Sequence, residues 1–133
     1  MHDSTDQAMS QHHAKTRFVL HRHDHPEGEH WDLMIEQADG LATWRIEALP
    51  ETDAAGIAAV RIFDHPRRFL SYEGPLREGL GEVRLCDQGE CELVEAGPTR
   101  WVFRLAGKCL RGWFTLECQG GQTWILHRHS ARP

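Results

Sequence analysis

The chain has 133 residues, 40% of them hydrophobic and 26% charged, with a formal net charge of −5. This length suits one domain with its own core and is too short for two. The acidic balance argues against a protein that coats nucleic acid non-specifically, because such binding requires a basic face. We find no secretory leader and no apolar run that could span a bilayer, so we expect a cytoplasmic protein without membrane contact.

The order of segments along the chain predicts a polar tail followed by a strand-rich domain. Residues 1–16 are polar and lack periodicity, so we expect a disordered tail there and one domain over 17–133. Asp39-Gly40 predicts a hairpin turn within 31–47, and Asp87-Gln88-Gly89 predicts a second one. A short helix is expected to start within 51–60. The predicted strands are 18–23, 31–36, 41–47, 60–65, 82–86, 90–95, 100–105, 110–117 and 123–129.

So many short strands with so little helix indicate an all-β fold. We predict a small, mainly antiparallel β-barrel, with a sandwich as the alternative. The five tryptophans fall at strand spacing and are expected to pack in the core rather than to stack on bases. The four cysteines form no C-x-x-C pair, which argues against a structural zinc site and favours free thiols.

The segment HRHDHPEGEHWD (21–32) carries the strongest chemical pattern. Side chains two positions apart on a strand share a face, so His30 and Asp32 aim together, and His23 on the strand before can join them. Two histidines and one carboxylate leave coordination positions open, which is typical of a catalytic metal site. We predict His23, His30 and Asp32 as metal ligands and place His25 in a solvent-facing loop.

His65 is a second candidate because it ends a predicted strand and precedes Pro66. Proline fixes the local backbone, and a histidine held there could bind a phosphate oxygen or protonate a leaving group. The same histidine could equally satisfy a loop carbonyl, and the sequence leaves both roles open.

With these residues identified, the chain resembles the 3′-phosphoesterase module of bacterial DNA ligase D, from about Arg17 to about Arg128. The resemblance is carried by six motifs in the order found in that family. They are FVLHRHD (18–24), HWDLMIE (30–36), DHP (64–66) with YEG (72–74), GEVRLCDQGECEL (81–93), FRLAGKCLRGWFTL (103–116) and WILHR (124–128).

The resemblance implies a compact barrel that trims DNA or RNA–DNA 3′ ends with a divalent ion. Mn²⁺ is the ion implied, with Zn²⁺ and Co²⁺ as alternatives. His23, His30 and Asp32 fall on the family's metal ligands, and His65 falls on the histidine that assists the phosphoryl group. Arg128 lies where the family has a basic residue near its last strand, so His65 and Arg128 are the expected catalytic pair. A separately encoded ligase or end-joining protein is the expected partner.

Several family positions differ in this chain. Met34 stands where the family has the arginine that clamps the phosphate, and Phe69 stands where it has tyrosine. His21 replaces a glutamine, and Phe63 replaces an acidic residue. Methionine cannot imitate the bidentate donors of arginine, so we expect reduced activity unless another cation substitutes. The candidates for that substitution are His21, His127 and Arg128.

Two alternatives come from other functional classes. One is a catalytically weakened module that binds nucleic-acid ends or repair partners, which the change at Met34 favours. The other is an unrelated metal-binding barrel with a cupin-like cluster of His21, His23, His25 and Glu29. That arrangement would leave Asp32 outside the metal's ligands, so the geometry of this region decides between them.

Overall fold

A computed structural model describes residues 14–133. All but one of its elements are strands, joined in antiparallel pairs. The strands are β1 (Ala14–His25), β2 (Gly28–Gln37), β3 (Gly40–Ile46), β4 (Ile57–His65), β5 (Gly74–Pro75), β6 (Glu82–Ala96), β7 (Arg100–Ala106), β8 (Arg111–Gly120) and β9 (Thr123–His129). A single 3-10 turn, Arg67–Leu70, follows β4.

The sheet closes on itself. Its strand order is β1-β2-β3-β4-β9-β8-β7-β6-β5, and β1 also pairs with β6, so eight strands form a barrel with the two-residue β5 appended. Closure leaves both sides of every barrel strand hydrogen-bonded, which removes the exposed sheet edges that open sheets must protect. The predicted antiparallel β-barrel is therefore confirmed, and the sandwich alternative is not. No helix among residues 14–133 has the length and apolar character that crossing a membrane would require.

Alternation along β1, β2 and β3 separates two apolar layers. One set of alternate residues fills the barrel, where Trp44, Phe103 and Phe114 are among the largest fully buried side chains. The other set faces outward, and there Val19, Met34 and Leu41 form a smaller cluster. That outer cluster is covered by Phe69 and Leu70 of the 3-10 turn and by Leu85 of β6. The barrel thus has a second, covered face outside β1–β3.

The predicted hairpin at Asp87-Gln88-Gly89 is wrong, because β6 runs unbroken from Glu82 to Ala96. Asp87 and Gly89 make tertiary contacts instead. A Cβ on Gly89 would lie 2.3 Å from the Ala106 carbonyl oxygen, so glycine allows β6 to approach β7 closely. The Asp87 carboxylate accepts backbone N–H bonds from Gln88, Lys108, Cys109 and Leu110 at 2.7–2.9 Å.

Two other boundaries differ from the prediction. Residues 51–60 contain no helix: irregular chain leads to β4, which begins at Ile57, and Asp53 takes a left-handed φ of 57°. At the other end, β1 begins at Ala14, so residues 14–16 of the predicted tail belong to a strand paired with β6. The rest of the predicted tail lies outside the described residues.

We predict that Asp87→Ala lowers the free energy of unfolding by about 2–4 kcal/mol, because it leaves several backbone donors of the 107–110 turn without an acceptor. Urea unfolding at pH 7 measures this, with Asp87→Asn as the milder variant that retains one acceptor oxygen. Equal stability of wild type and Asp87→Ala would contradict the assignment.

The same carboxylate predicts a pH dependence. Burial acts to raise the pKa of Asp87, but its four backbone hydrogen bonds outweigh burial and lower the pKa below its ordinary value of 3.8. A lowered folded-state pKa contributes stability that is present above pH 3.8 and is lost as the pH falls through the folded value. The stability difference between wild type and Asp87→Asn should therefore shrink in acid unfolding series below about pH 4.

Candidate metal centre

The pairing of β1 with β2 brings the three predicted ligands together. His23 lies directly opposite His30 in this register, and Asp32 lies opposite His21. Directly opposed residues of an antiparallel pair project from the same face, and positions two apart share it. One ligand atom from each of His23, His30 and Asp32 lies within 4.8 Å of the others. These three residues therefore form one cluster on the outer face of the barrel.

The donor set of this cluster fits a divalent cation. Asp32 Oδ1 lies 3.6 Å from His30 Nε2, and Asp32 Oδ2 lies 4.0 Å from His23 Nδ1. All three side chains are almost fully buried, yet His30 Nε2 and Asp32 Oδ1 make no hydrogen bond to any group in residues 14–133. Buried polar atoms without partners carry a free-energy cost that a bound cation would remove.

His23 is held in the orientation that ligation requires. Its Nε2 lies 2.7 Å from the Leu80 carbonyl oxygen, which can only accept a hydrogen bond. In the neutral ring the proton is therefore on Nε2, and the lone pair of Nδ1 faces Asp32. Metal-binding histidines are commonly oriented by such a bond from the second ring nitrogen.

Gly81 makes this contact between Leu80 and His23 possible. It adopts a left-handed φ of 81°, and a Cβ there would lie 1.9 Å from the Asp24 carbonyl oxygen. Asp24 is the residue after His23 on β1. Only glycine allows the 76–81 loop to pack this closely against the end of β1.

Burial and one arginine set the electrostatics of the cluster. Burial first, and then the positive charge of Arg45, lower the pKa of His30 to about 4, so its ring is neutral at physiological pH. Burial raises the pKa of Asp32, an effect that the nearby positive charge of Arg45 opposes. A neutral imidazole, as in His30, is the form in which histidine binds a metal.

A cavity of about 830 Å³ opens beside the cluster, lined by His23, Asp32 and His65 among others. His65 reaches it because β4 carries a bulge that places it opposite Leu41, a residue of the outer face. Its Nδ1 donates to the Phe63 carbonyl oxygen at 3.0 Å, which leaves Nε2 available. The loop-carbonyl role considered for His65 is thus present, together with a position in the cavity wall.

His21 also lines the cavity and is completely buried. Burial first, and then the neighbouring His65, lower the pKa of His21 to about 4. A neutral ring cannot supply the cation that Met34 lacks. Its edge instead contacts Phe69, with the ring centroids 6.1 Å apart.

Arg128 lies elsewhere in the barrel. Its guanidinium donates to the carbonyl oxygens of Cys109 at 3.0 Å, Arg111 at 3.1 Å and Pro50 at 3.4 Å. These contacts tie β9 to β8 and to the segment before β4. Among the described residues that line the cavity, neither Arg128 nor His127 is present.

The remaining candidate, His25, ends β1 rather than lying in an open loop, and it borders the cavity. Its Nδ1 accepts the backbone N–H of Glu27 at 3.0 Å. Glu29, which the cupin-like alternative required, bonds to Arg22 instead. The convergence of Asp32 with His23 and His30 is the opposite of what that alternative expects.

One arginine beside the cluster is absent from the residues predicted above. Arg45 on β3 lies opposite Asp32, with its Nε 3.7 Å from Asp32 Oδ1, and it lines the cavity together with Arg68 and Arg77. If residues are paired outward from the 39–40 turn, Arg45 lies on the same face as Asp32. Opposite residues of a hairpin share a face, as do residues two apart on a strand, so the sequence contained this signal. Arg68 and Arg77 come from the covering segment, whose path the sequence pattern did not reveal.

We predict that Gly81→Ala weakens Mn²⁺ binding about 10-fold or more, because the added Cβ pushes the Leu80 carbonyl away from His23. Titration calorimetry of the metal-free protein measures this. Gly79→Ala is a matched control: it has a similar φ of 85°, but its Cβ would meet no atom within 4 Å. Equal Mn²⁺ affinity in the two variants would exclude a role for the loop in orienting His23.

Comparison with known proteins assigns the chain to a family. The family model described as the DNA ligase D 3′-phosphoesterase domain matches residues 21–117. The LigD end-joining protein of Mycolicibacterium smegmatis is 27% identical over 88% of this chain and 18% of its own length. Those of Mycobacterium bovis and Mycobacterium tuberculosis are 27% identical over 84% of the chain and 16% of theirs. The chain thus spans less than a fifth of these curated relatives, and it belongs to the DNA ligase D 3′-phosphoesterase domain family.

Proposed function

We propose that this protein is a divalent-metal-dependent phosphoesterase that processes the 3′ ends of DNA or RNA–DNA strands. The observation that supports it best is the clustering of His23, His30 and Asp32. Two of them, His23 and Asp32, also line a cavity. The named relatives are end-joining proteins, and the matching family is a 3′-phosphoesterase domain. The proposal extends that chemistry to this chain as removal of a 3′-terminal ribonucleoside and of a 3′-phosphate.

In this proposal His23, His30 and Asp32 hold the ion, with Mn²⁺ as the best candidate and Zn²⁺ or Co²⁺ as alternatives. Such an ion would neutralise charge on a non-bridging phosphate oxygen and could activate water. The protein contributes ligand orientation through the Leu80 carbonyl and a partly enclosed site beneath the 76–81 loop.

His65 is the proposed acid and hydrogen-bond donor. With Nδ1–H bonded to the Phe63 carbonyl, the neutral ring presents the Nε2 lone pair to the cavity, where it can accept a proton. The imidazolium form carries a proton on Nε2 and can donate it to a phosphoryl oxygen or to the leaving oxygen. Arg128 is not part of this proposal, because its guanidinium bonds to three backbone carbonyls outside the cavity.

Arg45 is the proposed substitute for the arginine that Met34 replaces. Met34 is buried in the outer apolar cluster beside Val19 and Leu41. Arg45 projects from the neighbouring strand, its side chain is 43% exposed, and its Nη groups form no hydrogen bond within residues 14–133. These donors are therefore available to a phosphate next to Asp32.

We predict that His30→Ala abolishes release of phosphate or nucleoside from a 3′-modified primer in Mn²⁺, because it removes a ligand from the cluster. Product analysis by denaturing gel measures the rate. His127→Ala is the control, since this histidine lies on β9 away from the cavity. Equal rates for His30→Ala and wild type would assign the activity to a contaminant.

We also predict that Arg45→Ala lowers kcat/KM on a 3′-phosphate primer by about 100-fold, the cost of losing one transition-state contact of about 2.7 kcal/mol. The kcat/KM of Arg45→Lys should lie between those of the wild type and Arg45→Ala, because lysine retains the positive charge but not the planar guanidinium. Arg84→Ala serves as a control, since Arg84 is an exposed arginine on β6 that pairs with Glu82. An unaffected Arg45→Ala enzyme would show that the phosphate is held by other groups.

The loss of the expected arginine at Met34 favours one alternative, a module that binds 3′ ends without turnover. It predicts retention of a primer–template junction in a gel-shift assay and no product with Mn²⁺, Zn²⁺ or Co²⁺. A separately encoded ligase or end-joining protein is the proposed partner in either case, since such a partner would use the processed 3′-hydroxyl.

A further inference from the structure

The most exposed large hydrophobic side chain in the described part of the protein lies at the mouth of the cavity. Phe63 is 74% exposed, against 43% for each of Leu49, Val60 and Leu80. Its ring stacks on the His65 ring with centroids 4.7 Å apart and planes within 4°. The exposed Phe63 ring is part of the cavity wall rather than an isolated surface residue, because both Phe63 and His65 line the cavity.

The backbone fixes this ring pair. The hydrogen bond from His65 Nδ1 to the Phe63 carbonyl joins the two residues across the bulged end of β4. The edge of Phe69 contacts His65 from another side, with centroids 5.5 Å apart. One face of the Phe63 ring is therefore covered by a positioned imidazole, and a flat ligand on its other face would extend an existing stack.

We propose that Phe63 is a stacking platform for the nucleobase at the 3′ end that is processed. This inference rests on the proposed function, because it takes the phosphate to lie between His65 and the cluster of His23, His30 and Asp32. A base on Phe63 would then be one stacking layer away from the histidine that contacts the phosphate.

The surroundings favour a nucleic-acid end over an apolar protein partner. Arg45, Arg68 and Arg77 line the same cavity and can contact phosphates on either side of a stacked nucleoside. Leu80, also at the rim, adds a further apolar surface. Stacking on an aromatic ring tolerates any base, so this platform recognises the presence of a base rather than its identity.

The test uses the whole metal-free protein and a primer carrying 2-aminopurine as its 3′-terminal base, whose fluorescence is quenched by stacking. Phe63→Leu keeps an apolar side chain but removes the flat ring, whereas Phe63→Trp keeps the ring. We expect binding to weaken about 10-fold and quenching to disappear in Phe63→Leu, with both retained in Phe63→Trp. Leu49→Ala, at an exposed apolar position outside the cavity, should behave as wild type.

A second measurement compares primers that end in a normal or an abasic 3′ nucleotide, with Mn²⁺ present. Phe63→Leu should reduce the preference of the wild type for the base-bearing end about 10-fold. If the wild type processes neither primer, the proposed function fails. The fluorescence experiment still tests whether the 3′-terminal base stacks on Phe63. Wild-type quenching in Phe63→Leu would overturn the platform, and so would sedimentation showing that Phe63 instead joins two copies of the chain.

Discussion

The register between β1 and β2 is the constraint on which the site depends. It sets His23 across from His30 and leaves Asp32 two positions along the same face. A slip of one residue would turn His30 and Asp32 toward the barrel interior and bring Leu33 outward, which the apolar core opposes strongly. The packing of Leu33, Ile35 and Trp44 inside the barrel therefore also determines the geometry outside it. Core and site are specified by one alternating pattern.

The outer face concentrates groups that are individually unfavourable to bury. Asp32 and His30 are buried from water, and each retains an atom without a hydrogen-bond partner within residues 14–133. Arg45 offsets part of this cost by its charge, but 3.7 Å from Asp32 it does not form a close hydrogen bond. The cluster thus keeps buried polar atoms unpaired beside a cavity that arginines line.

Local pattern was sufficient for the barrel strands and for the three clustered residues, because strand alternation and i, i+2 spacing are short-range properties. It failed where long-range contacts decide the structure. Asp87 and Gly89 form a typical turn pair, yet their roles are set by the 107–110 turn and by Ala106. The path of the segment between β4 and β6, which brings Leu80 to His23, likewise cannot be predicted from hydrophobic periodicity.

The hydrogen bond between His23 and the Leu80 carbonyl couples two equilibria. Any ligand that stabilises His23 in its present rotamer also stabilises the packing of the 76–81 loop against the end of β1. By thermodynamic reciprocity, if the cluster binds a cation, a molecule that displaces Leu80 weakens that binding by the same factor by which the cation weakens binding of the molecule. The position of the Leu80 carbonyl and the orientation of His23 are consequently coupled in free energy.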